Sequence, residues 1–540
     1  MFSSLVGWDY LVIAIYFLVV FLIAGWAIFH DLSIHKSTAG YFLAGKNTGW
    51  FVVGASLFAS NIGSEHLVGL AGSGVIYGVA AAQFEIFAAL ILILLGWLFV
   101  PFYLKNQVYT IPEFIENRYS PAARAYLSWM SVVAYILTKI SVTIAAGGII
   151  FETLIGINFW TGAFIVIVIT GVYTVLGGLR AVMYTDMIQM FVLLIGAVVL
   201  TVSGLIDIGG WVSLKETAGS SFFNMWKPVT DPNFPWTGII FGAPILGIWY
   251  WCTDQFIVQR TLAARNVDEA RRGAIFGGFL KILPVFIFVV PGIIAYVLIQ
   301  RGHIELAEAD HALPALVGFL LPAGLRGLVV AGLLAALMSS LSSVFNSCST
   351  LITFDIYKKL VPNASEKQLI LAGQVATGLL VILALLWIPV LNGISTPLYQ
   401  YLQSIQAYIS PPIVAIFFLG IFIKRLNSRG AMASLFVGFI FGITRLISEI
   451  NKDSLSGYIH DYATLNFLHF AIYLFVVCSA VLVLVSFTAP APSSQKLNGV
   501  TFSPGCLTPA DSCPKHRLTD MRLTLVLCVL AFLVWIYFTG

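Results

Sequence analysis

The chain has 540 residues, of which 59% are hydrophobic, 14% aromatic and only 10% charged. This composition predicts an all-α polytopic membrane protein and excludes a soluble domain of this length. The net charge of +4 argues against nucleic-acid binding, and no Gly-rich phosphate loop, metal-spaced Cys/His set or nucleophile elbow supports an enzyme. We therefore expect no catalytic residues and no organic cofactor.

Fourteen apolar segments are long enough to cross a bilayer as helices. In chain order, they cover about 9–29, 50–75, 78–104, 124–150, 158–178, 184–207, 237–258, 272–299, 324–357, 368–391, 396–422, 428–448, 463–487 and 520–539. If the N-terminus lies outside, 20 of the 28 lysines and arginines fall in cytoplasmic loops and six in outer loops. This asymmetry follows the positive-inside rule. It predicts a multi-pass plasma-membrane protein with both termini outside.

The order of the spans divides the chain into four parts. We expect an extra N-terminal helix with a cytoplasmic loop (1–49), a first five-span unit (50–207), a second five-span unit preceded by an outer loop (208–448), and a C-terminal region (449–540). The C-terminal region contains a Pro/Ser-rich stretch, 488–519, which we interpret as a flexible cytoplasmic tether to the last helix.

The second span carries polar residues that are unusual in a membrane segment, namely Ser60, Asn61, Gly63, Ser64, Glu65 and His66. An ionisable residue at the bilayer centre costs about 2.5–3.5 kcal/mol on insertion scales. Two neighbouring ionisable residues beside a glycine predict an interrupted helix, because the backbone groups freed by the break can face a cavity.

The seventh span is predicted to be interrupted as well. Gly242, Pro244 and Gly247 precede the aromatic run 249–251 and then Asp254. Interrupted helices in the first position of two units, each with an odd number of spans, indicate an inverted-repeat transporter. The similarity is one of break positions and not of residue identities.

The ninth span presents hydroxyls on one helical face. Ala336, Ser339, Ser340 and Ser343 follow i, i+3, i+4, i+7 spacing, and Ser342 lies beside them. These hydroxyls, together with carbonyls from the broken second span, would supply the oxygens that a hard monovalent cation needs. The alternative is that small polar residues only allow close helix packing. The interrupted second span in the same chain favours the ion site.

Isolated polar residues and two aromatic residues in the spans suggest a neutral polar solute. They are Asn61, His66, Glu85, Lys281, Gln403, Tyr250 and Trp251. A polyhydroxylated ring needs paired donors and acceptors for its hydroxyls and a flat surface for its C–H face. A carboxylate substrate would instead require an arginine or a bare helix N-terminus, and we place no arginine at mid-membrane.

Structural roles stay open for several of these residues. Glu85 is also consistent with a salt bridge that only holds helices together, Lys281 with snorkelling, and Gln403 with helix–helix hydrogen bonding. Lys139 is consistent with a structural partner of an acid. Asp186 is consistent with a helix N-cap.

At these residues the chain resembles sodium/solute symporters of the sodium–glucose cotransporter type. The matching stretches are YFLAGKNTGWFVVGASLFASNIGSEH (41–66), TIPEFIENRY (110–119), TKIS (138–141), GGLRAVMYTDMIQ (177–189), WYWCTDQFIVQRTLAARN (249–266), MSSLSSVFNSCSTLITFDIYKK (338–359) and YLQSIQAYISPP (401–412). The resemblance implies a LeuT-like inverted-repeat core formed by spans 2–11, with one extra helix before it and three after it.

The resemblance also implies site residues, position by position. The sugar site would be formed by Asn61, His66, Glu85, Tyr250, Trp251, Lys281 and Gln403. The main sodium site would be formed by the carbonyls of Ala59, Ile62 and Ala336 and the hydroxyls of Ser339 and Ser340. A second sodium site would be formed by Asp186, Ser342 and Ser343. The outer gate would be formed by Leu70, Phe84 and Tyr399, and the inner gate by Tyr250.

The resemblance implies a symporter that imports a glucose- or galactose-type hexose by alternating access, with Na⁺ as the coupling ion. Ser342 keeps a hydroxyl that one-sodium relatives tend to lack, so we expect two Na⁺ per sugar. Gly247 and Gln406 depart from the family pattern, which leaves the sugar open. Alternatives are a sodium-coupled symporter for inositol or another small polar solute, and a non-transporting sensor or channel. The expected partners are a hexose, sodium ions and the lipid bilayer, and the sequence identifies no protein partner.

Overall fold

The computed structural model describes residues 5–29, 37–387, 398–502 and 514–540. Within these ranges the regular structure is helical, and β pairing is limited to isolated bridges such as that between Thr48 and Ala264. A helix satisfies its own backbone hydrogen bonds, which an apolar bilayer requires. The predicted all-α class is therefore confirmed. Part of the predicted tether, 488–519, lies outside the described residues.

The α-helices in the first half of the chain have the following bounds. They are α1 Gly7–Phe29, α2 Thr38–Leu43, α3 Trp50–Asn61, α4 Ser64–Tyr77, α5 Gln83–Leu94, α6 Val100–Lys105, α7 Ile111–Arg118, α8 Pro121–Tyr135, α9 Ser141–Ile150, α10 Phe159–Ile208, α11 Gly210–Ala218, α12 Trp236–Phe241, α13 Ala243–Ile248 and α14 Gln255–Leu262.

The remaining α-helices continue to the C-terminus. They are α15 Val267–Leu280, α16 Val290–Gln300, α17 Ala312–Leu320, α18 Leu325–Leu351, α19 Lys358–Leu360, α20 Glu366–Trp387, α21 Leu398–Val414, α22 Gly420–Phe422, α23 Ser428–Ile450, α24 Gly457–Thr464, α25 Phe467–Phe487, α26 Ser494–Leu497 and α27 Pro514–Tyr537.

Eleven continuous helices in the described ranges are long and apolar enough to cross a membrane. The chain is therefore a multi-pass membrane protein. Eleven is fewer than the fourteen predicted spans because the second and seventh spans are broken into short helices, and the fifth and sixth spans form one continuous helix.

Helix α10 is bent at Gly178. Its 50 residues would extend about 75 Å if straight, well over the roughly 30 Å of a bilayer core. Gly178 has φ 55° and ψ −157°, a conformation that side chains disfavour. An added Cβ would also collide with the backbone carbonyl of Tyr41. The glycine therefore allows the chain to change direction at this point.

The predicted interruption of the second span is confirmed. Helix α3 ends at Asn61 and α4 begins at Ser64, with Ile62 and Gly63 in non-helical conformations (ψ 82° and 178°) between them. Both halves are buried on nearly every side around the break. The freed backbone groups thus face protein and not lipid.

The predicted interruption of the seventh span is confirmed: α12 ends at Phe241 and α13 begins at Ala243, and a second break follows α13. A π-helical turn, Trp249–Thr253, follows α13. The next residue, Asp254, has an extended backbone (φ −86°, ψ 128°) that interrupts the helix before α14. Asp254 caps α14 by accepting a hydrogen bond from the Phe256 amide at 3.2 Å. Pro244 lies in the first turn of α13, where a proline lacks only an amide hydrogen that would be unpaired anyway.

Helix α18 lies at the centre of the molecule and α27 at its edge. In the most apolar stretch of the helix that contains α18, 94% of the residues are buried. In the corresponding stretch of the last helix, only 17% are buried. Gly196 of α10 lies against the backbone of Val329 in α18, and Gly332 of α18 lies against Leu193. Small residues let two helices approach closely in a membrane, so the hydroxyl-bearing helix is held firmly against α10.

Candidate functional site

A central cavity of about 470 Å³, including its opening, lies beside the break between α3 and α4. All seven residues assigned to the sugar site line it, namely Asn61, His66, Glu85, Tyr250, Trp251, Lys281 and Gln403. They come from α3, α4, α5, the π-helical turn after α13, the end of α15, and α21. We call this space the central cavity.

Four of these residues form one chain of polar contacts. The Lys281 ammonium forms an ion pair with Glu85 and donates to Asn61 Oδ1 at 2.5 Å. The Asn61 amide in turn donates to the Tyr250 hydroxyl at 3.0 Å. The Lys281 ammonium thus points inward to a carboxylate, and snorkelling is excluded. Each member is less than 6% exposed, so the polar groups are fixed in position before any solute arrives.

Aromatic rings form the flat part of the cavity wall. Trp251 stands edge-on to Tyr250, with ring centroids 5.2 Å apart, and the Lys281 ammonium lies 5.4 Å from the centre of the Trp251 ring. An aromatic face beside charged donors and acceptors suits a ring with hydroxyls on its edge and C–H bonds on its face. Gly247 and Gln406, which depart from the family pattern, line the same wall.

A second buried ion pair borders the cavity, and the sequence did not identify the acid in it. Glu65 lies 3.4 Å from the Lys139 ammonium and accepts from the Thr143 hydroxyl at 3.0 Å. The Lys139 ammonium lies 4.9 Å from the centre of the Tyr250 ring. The expectation that Lys139 pairs with an acid is confirmed. The sequence could have indicated this pair, because Glu65 and Lys139 are oppositely charged and each lies within a predicted span.

The break in the second span exposes carbonyls near α18. The Gly63 amide donates to the Asn61 carbonyl at 3.0 Å instead of to the Ala59 carbonyl, which leaves the Ala59 oxygen outside the helical ladder. The Ser340 hydroxyl donates to the Ser60 carbonyl at 3.3 Å across the interface. The residues assigned to the main sodium site lie buried around this interface, namely Ala59, Ile62, Ala336, Ser339 and Ser340.

Asp186 is the centre of a buried network of hydroxyls. It accepts from Ser339 at 2.5 Å, from Ser56 at 2.6 Å and from Ser60 at 3.1 Å. Asp186 lies within α10, far from the N-terminus at Phe159, so the helix-cap alternative is wrong. Ser339, which we assigned to the main sodium site, therefore also contacts the residue assigned to the second one. The two candidate ion sites adjoin each other.

The other two residues of the second candidate site bond elsewhere in the network. The Ser343 hydroxyl donates to Ser60 Oγ at 2.9 Å, and the Ser342 hydroxyl donates to the Ser339 carbonyl at 3.0 Å. Neither is shown bonded to Asp186. In this conformation Ser343 reaches the carboxylate only through Ser60, which accepts from one and donates to the other.

The predicted seventh span ends at 258, which counts Arg260 among the basic residues of the next cytoplasmic loop, and this placement is wrong because Arg260 lies within α14. The side chain is fully buried on α14, and its Nε donates to Ser60 Oγ at 3.1 Å. Long-range packing of α14 against α3 and α18 encloses it, which a count of loop charges does not register. The arginine lies on the ion side of the break and does not line the central cavity.

Of the residues assigned to the outer gate, Phe84 lines the cavity, and Tyr399 contacts two residues that line it. Tyr399 is buried, with its ring 6.1 Å from Phe84 and 5.7 Å from His66, and Leu70 is fully buried. Beyond them, Gln400 accepts from Tyr77 and donates to Asn233, both at 3.0 Å. Next to the aromatic contacts of Tyr399 there is thus a set of hydrogen bonds made by the neighbouring Gln400.

Tyr250 connects the cavity wall to the second break. Its ring lies 6.2 Å from Phe256, and Asp254 at the second break accepts a hydrogen bond from Tyr135. Tyr250 thus lies between the cavity and the broken part of the seventh span. A change at this break would move Tyr250 relative to Asn61, to which it is hydrogen-bonded.

The chain is similar to known membrane transporters over most of its length. The model of the Sodium:solute symporter family matches residues 41–438. Sodium/glucose cotransporter 1 of Oryctolagus cuniculus is 39% identical over 528 residues, which cover 90% of this chain and 79% of the rabbit protein. The Sodium/myo-inositol cotransporter of Homo sapiens is 36% identical over 565 residues, which cover 95% and 78% of the two chains.

A solved structure shares the fold. The substrate-bound, outward-open form of a Na⁺-coupled sialic acid symporter has a TM-score of 0.75, with 22% sequence identity over 90% of this chain and 99% of that chain. The fold, the extent of the family match and the identity to the rabbit protein agree with the resemblance found in the sequence. The chain therefore belongs to the Sodium:solute symporter family and is a sodium-coupled membrane transporter, not an enzyme.

Proposed function

We propose that this protein imports a neutral monosaccharide of the glucose or galactose type together with Na⁺. The observation that carries the proposal is the chain of contacts from Glu85 through Lys281 and Asn61 to Tyr250 on the wall of the central cavity. It offers fixed donors and acceptors beside the aromatic face of Trp251. The identity to glucose cotransporters over most of the chain supports this substrate class.

Coupling follows from the position of the proposed ion sites. Sodium bound between the freed carbonyls of the second span and the hydroxyls of α18 would hold the two halves of that span in one arrangement. Asn61, the last residue of α3, would then be correctly placed for the sugar. Two sodium ions are supported by the adjoining network around Asp186. At about 2.3 kcal/mol per charge per 100 mV, two ions supply roughly 4.6 kcal/mol, somewhat over a thousandfold in sugar ratio.

Alternating access would use the two sides of the cavity. The layer formed by Leu70, Phe84 and Tyr399 would open towards the outside, and rearrangement at Tyr250 and the second break would open the inside. The broken helix α3–α4 would begin the first five-span unit, 50–207. The broken helix α13–α14 would lie in the first span of the second unit, which follows the outer loop within 208–448. This placement supports a LeuT-like inverted-repeat core.

The remaining topology belongs to the same proposal. Bends at Gly78 and Gly178 separate spans that run on within continuous helical segments. Counting these spans separately and adding the broken seventh span gives fourteen crossings. An even number of crossings and the distribution of basic residues put both termini outside the plasma membrane. The extra helix of 1–49 and the C-terminal region 449–540 would lie around the core.

A symporter for inositol is the second candidate. The human myo-inositol cotransporter is nearly as similar to the chain as the rabbit glucose cotransporter, and a cyclitol offers the same kind of ring with hydroxyls. The experiment is uptake of labelled glucose, galactose and myo-inositol into proteoliposomes, with and without an inward Na⁺ gradient. Accumulation of a hexose above that of inositol supports the proposal. Uptake of neither, or uptake unaffected by sodium, rejects it.

A further inference from the structure

The hydroxyl of Tyr135, the last residue of α8, is bonded to the second break. It donates to Asp254 Oδ1 and accepts from the Phe256 amide at 3.1 Å. Asp254 accepts from the same amide at 3.2 Å, so the Tyr135 hydroxyl takes part in the N-terminal cap of α14. Tyr135 is 1% and Asp254 4% exposed. We call this set of contacts the α8 latch, because it joins α8 to the second break inside the protein.

The same helical segment also contacts the break between α3 and α4. Four residues after Tyr135, the Lys139 ammonium lies 3.4 Å from the Glu65 carboxylate. Four residues further, the Thr143 hydroxyl donates to Glu65 at 3.0 Å, and the Thr143 carbonyl accepts from the Ser64 hydroxyl at 3.0 Å. Residues four apart lie on one face of a helix. One face of the segment formed by α8 and α9 therefore contacts both broken spans.

The first two turns of α8 are held at the end of α18. Arg124 Nε donates to Asp355, which lies in the helical turn after α18, at 2.9 Å, and Ser128 donates to the other oxygen of this carboxylate at 2.6 Å. Separating the partners of a buried ion pair is strongly unfavourable, so we expect α8 to stay against α18 when the second break moves. Such a movement must then separate Tyr135 from Asp254.

We propose that Tyr135 is a positioning residue whose hydroxyl keeps the inner gate closed while no sugar is bound. This role rests on the proposed function, in which rearrangement at Tyr250 and the second break opens the inside. The Tyr250 ring lies 6.2 Å from the ring of Phe256, whose amide donates to Tyr135. Without the Tyr135 hydroxyl, this segment loses two hydrogen bonds that hold it to α8. The inner gate then opens in the sugar-free protein, and sodium crosses without sugar.

The test compares two fluxes of the full-length protein in proteoliposomes, with the uptake of protein-free liposomes subtracted. One is the uptake of labelled sodium without sugar, and the other is sodium-driven uptake of labelled hexose. Their ratio does not change in a variant that only folds less well, because both fluxes then fall together. Tyr135→Phe keeps the ring and removes the hydroxyl. Loss of a hydrogen bond to a charged group shifts a two-state equilibrium about tenfold or more, so we expect the ratio to rise about tenfold.

Tyr126→Phe is the matched control, because it makes the same change on the same helix. It removes a hydrogen bond to the Leu435 carbonyl at 3.2 Å and touches neither break, so the ratio of the two fluxes should stay at its original value. If hexose uptake remains sodium-driven, an unchanged ratio in Tyr135→Phe or an equal rise in Tyr126→Phe would overturn the α8 latch and leave the proposed function standing.

Asp254→Asn tests the same contact from its other partner. The amide oxygen can still cap α14, but the bond from Tyr135 loses its charged acceptor, so the ratio should rise. The double variant should leak no more sodium than Tyr135→Phe alone, because both changes remove one interaction. Additive effects of the two substitutions would overturn the latch. Absence of sodium-driven hexose uptake in the unsubstituted protein would overturn the proposed function and the latch together.

Discussion

Substitutions at Lys281 and Glu85 test whether this ion pair only stabilises the fold or also binds the substrate. Lys281→Met leaves the Glu85 carboxylate without its partner at less than 3% exposure. Breaking one side of a buried ion pair costs about 3–5 kcal/mol, so we expect this variant to be strongly destabilised. Adding Glu85→Gln removes the uncompensated charge. The double variant should recover most of its thermal stability in detergent.

Sugar binding should not recover with stability. A hydrogen bond to a charged group contributes about 1.5–3 kcal/mol, which corresponds to about a 10- to 150-fold rise in the half-saturating sugar concentration. The measurement is sodium-driven hexose uptake in proteoliposomes across a range of sugar concentrations. The control is Lys359→Met, which breaks the contact of a half-exposed lysine with Glu116 at 2.9 Å, and it should leave the half-saturating concentration unchanged.

A double variant that transports sugar with the original half-saturating concentration would refute this reasoning. It would show that Glu85 and Lys281 only hold α5 to the end of α15. Sodium affinity measured without sugar serves as a second check. It should stay close to the original value, because the Asp186 network contains neither residue.

Ser340→Ala should raise the half-saturating sodium concentration several-fold, since it removes a hydroxyl at the interface with the Ser60 carbonyl; unaltered sodium dependence of uptake would exclude Ser340 from the ion site. Gln403→Ala should raise the half-saturating sugar concentration about tenfold through loss of one or two hydrogen bonds, and equal uptake curves would count against direct contact. Asp186→Asn should lower the Hill coefficient for sodium from near two towards one if a second ion uses this carboxylate. A coefficient that stays near two would remove Asp186 from that role.

The sequence was sufficient to predict the break in the second span and the hydroxyl-bearing face of α18. Both depend on local composition, because polar residues are costly in an apolar segment whatever surrounds it. The seven residues assigned to the sugar site also meet in one cavity. They were identified by residue type and by family resemblance, and neither depends on knowing how the helices pack.

Tertiary packing decided the points that the sequence analysis missed. Arg260 follows a predicted span and is basic, so it counted as a loop charge until α14 proved to be enclosed. Ser56 was not assigned because a single hydroxyl in a helix normally bonds its own backbone. The chain becomes extended at Asp254 because this residue caps α14, while Gly247 before it fits within α13. For Arg260 and Ser56 the deciding partner lies far away in the sequence.

Two adjacent residues explain how an ion could control a sugar site. Ser60 accepts from Arg260 and Ser343 and donates to Asp186, all on the ion side of the break. Asn61, the next residue, accepts from Lys281 on the wall of the central cavity. Successive side chains of a helix point about 100° apart, so one rigid turn at the end of α3 presents one residue to each site. A cation that fixes this turn also fixes the group that would receive the sugar, and no longer pathway between the sites is needed.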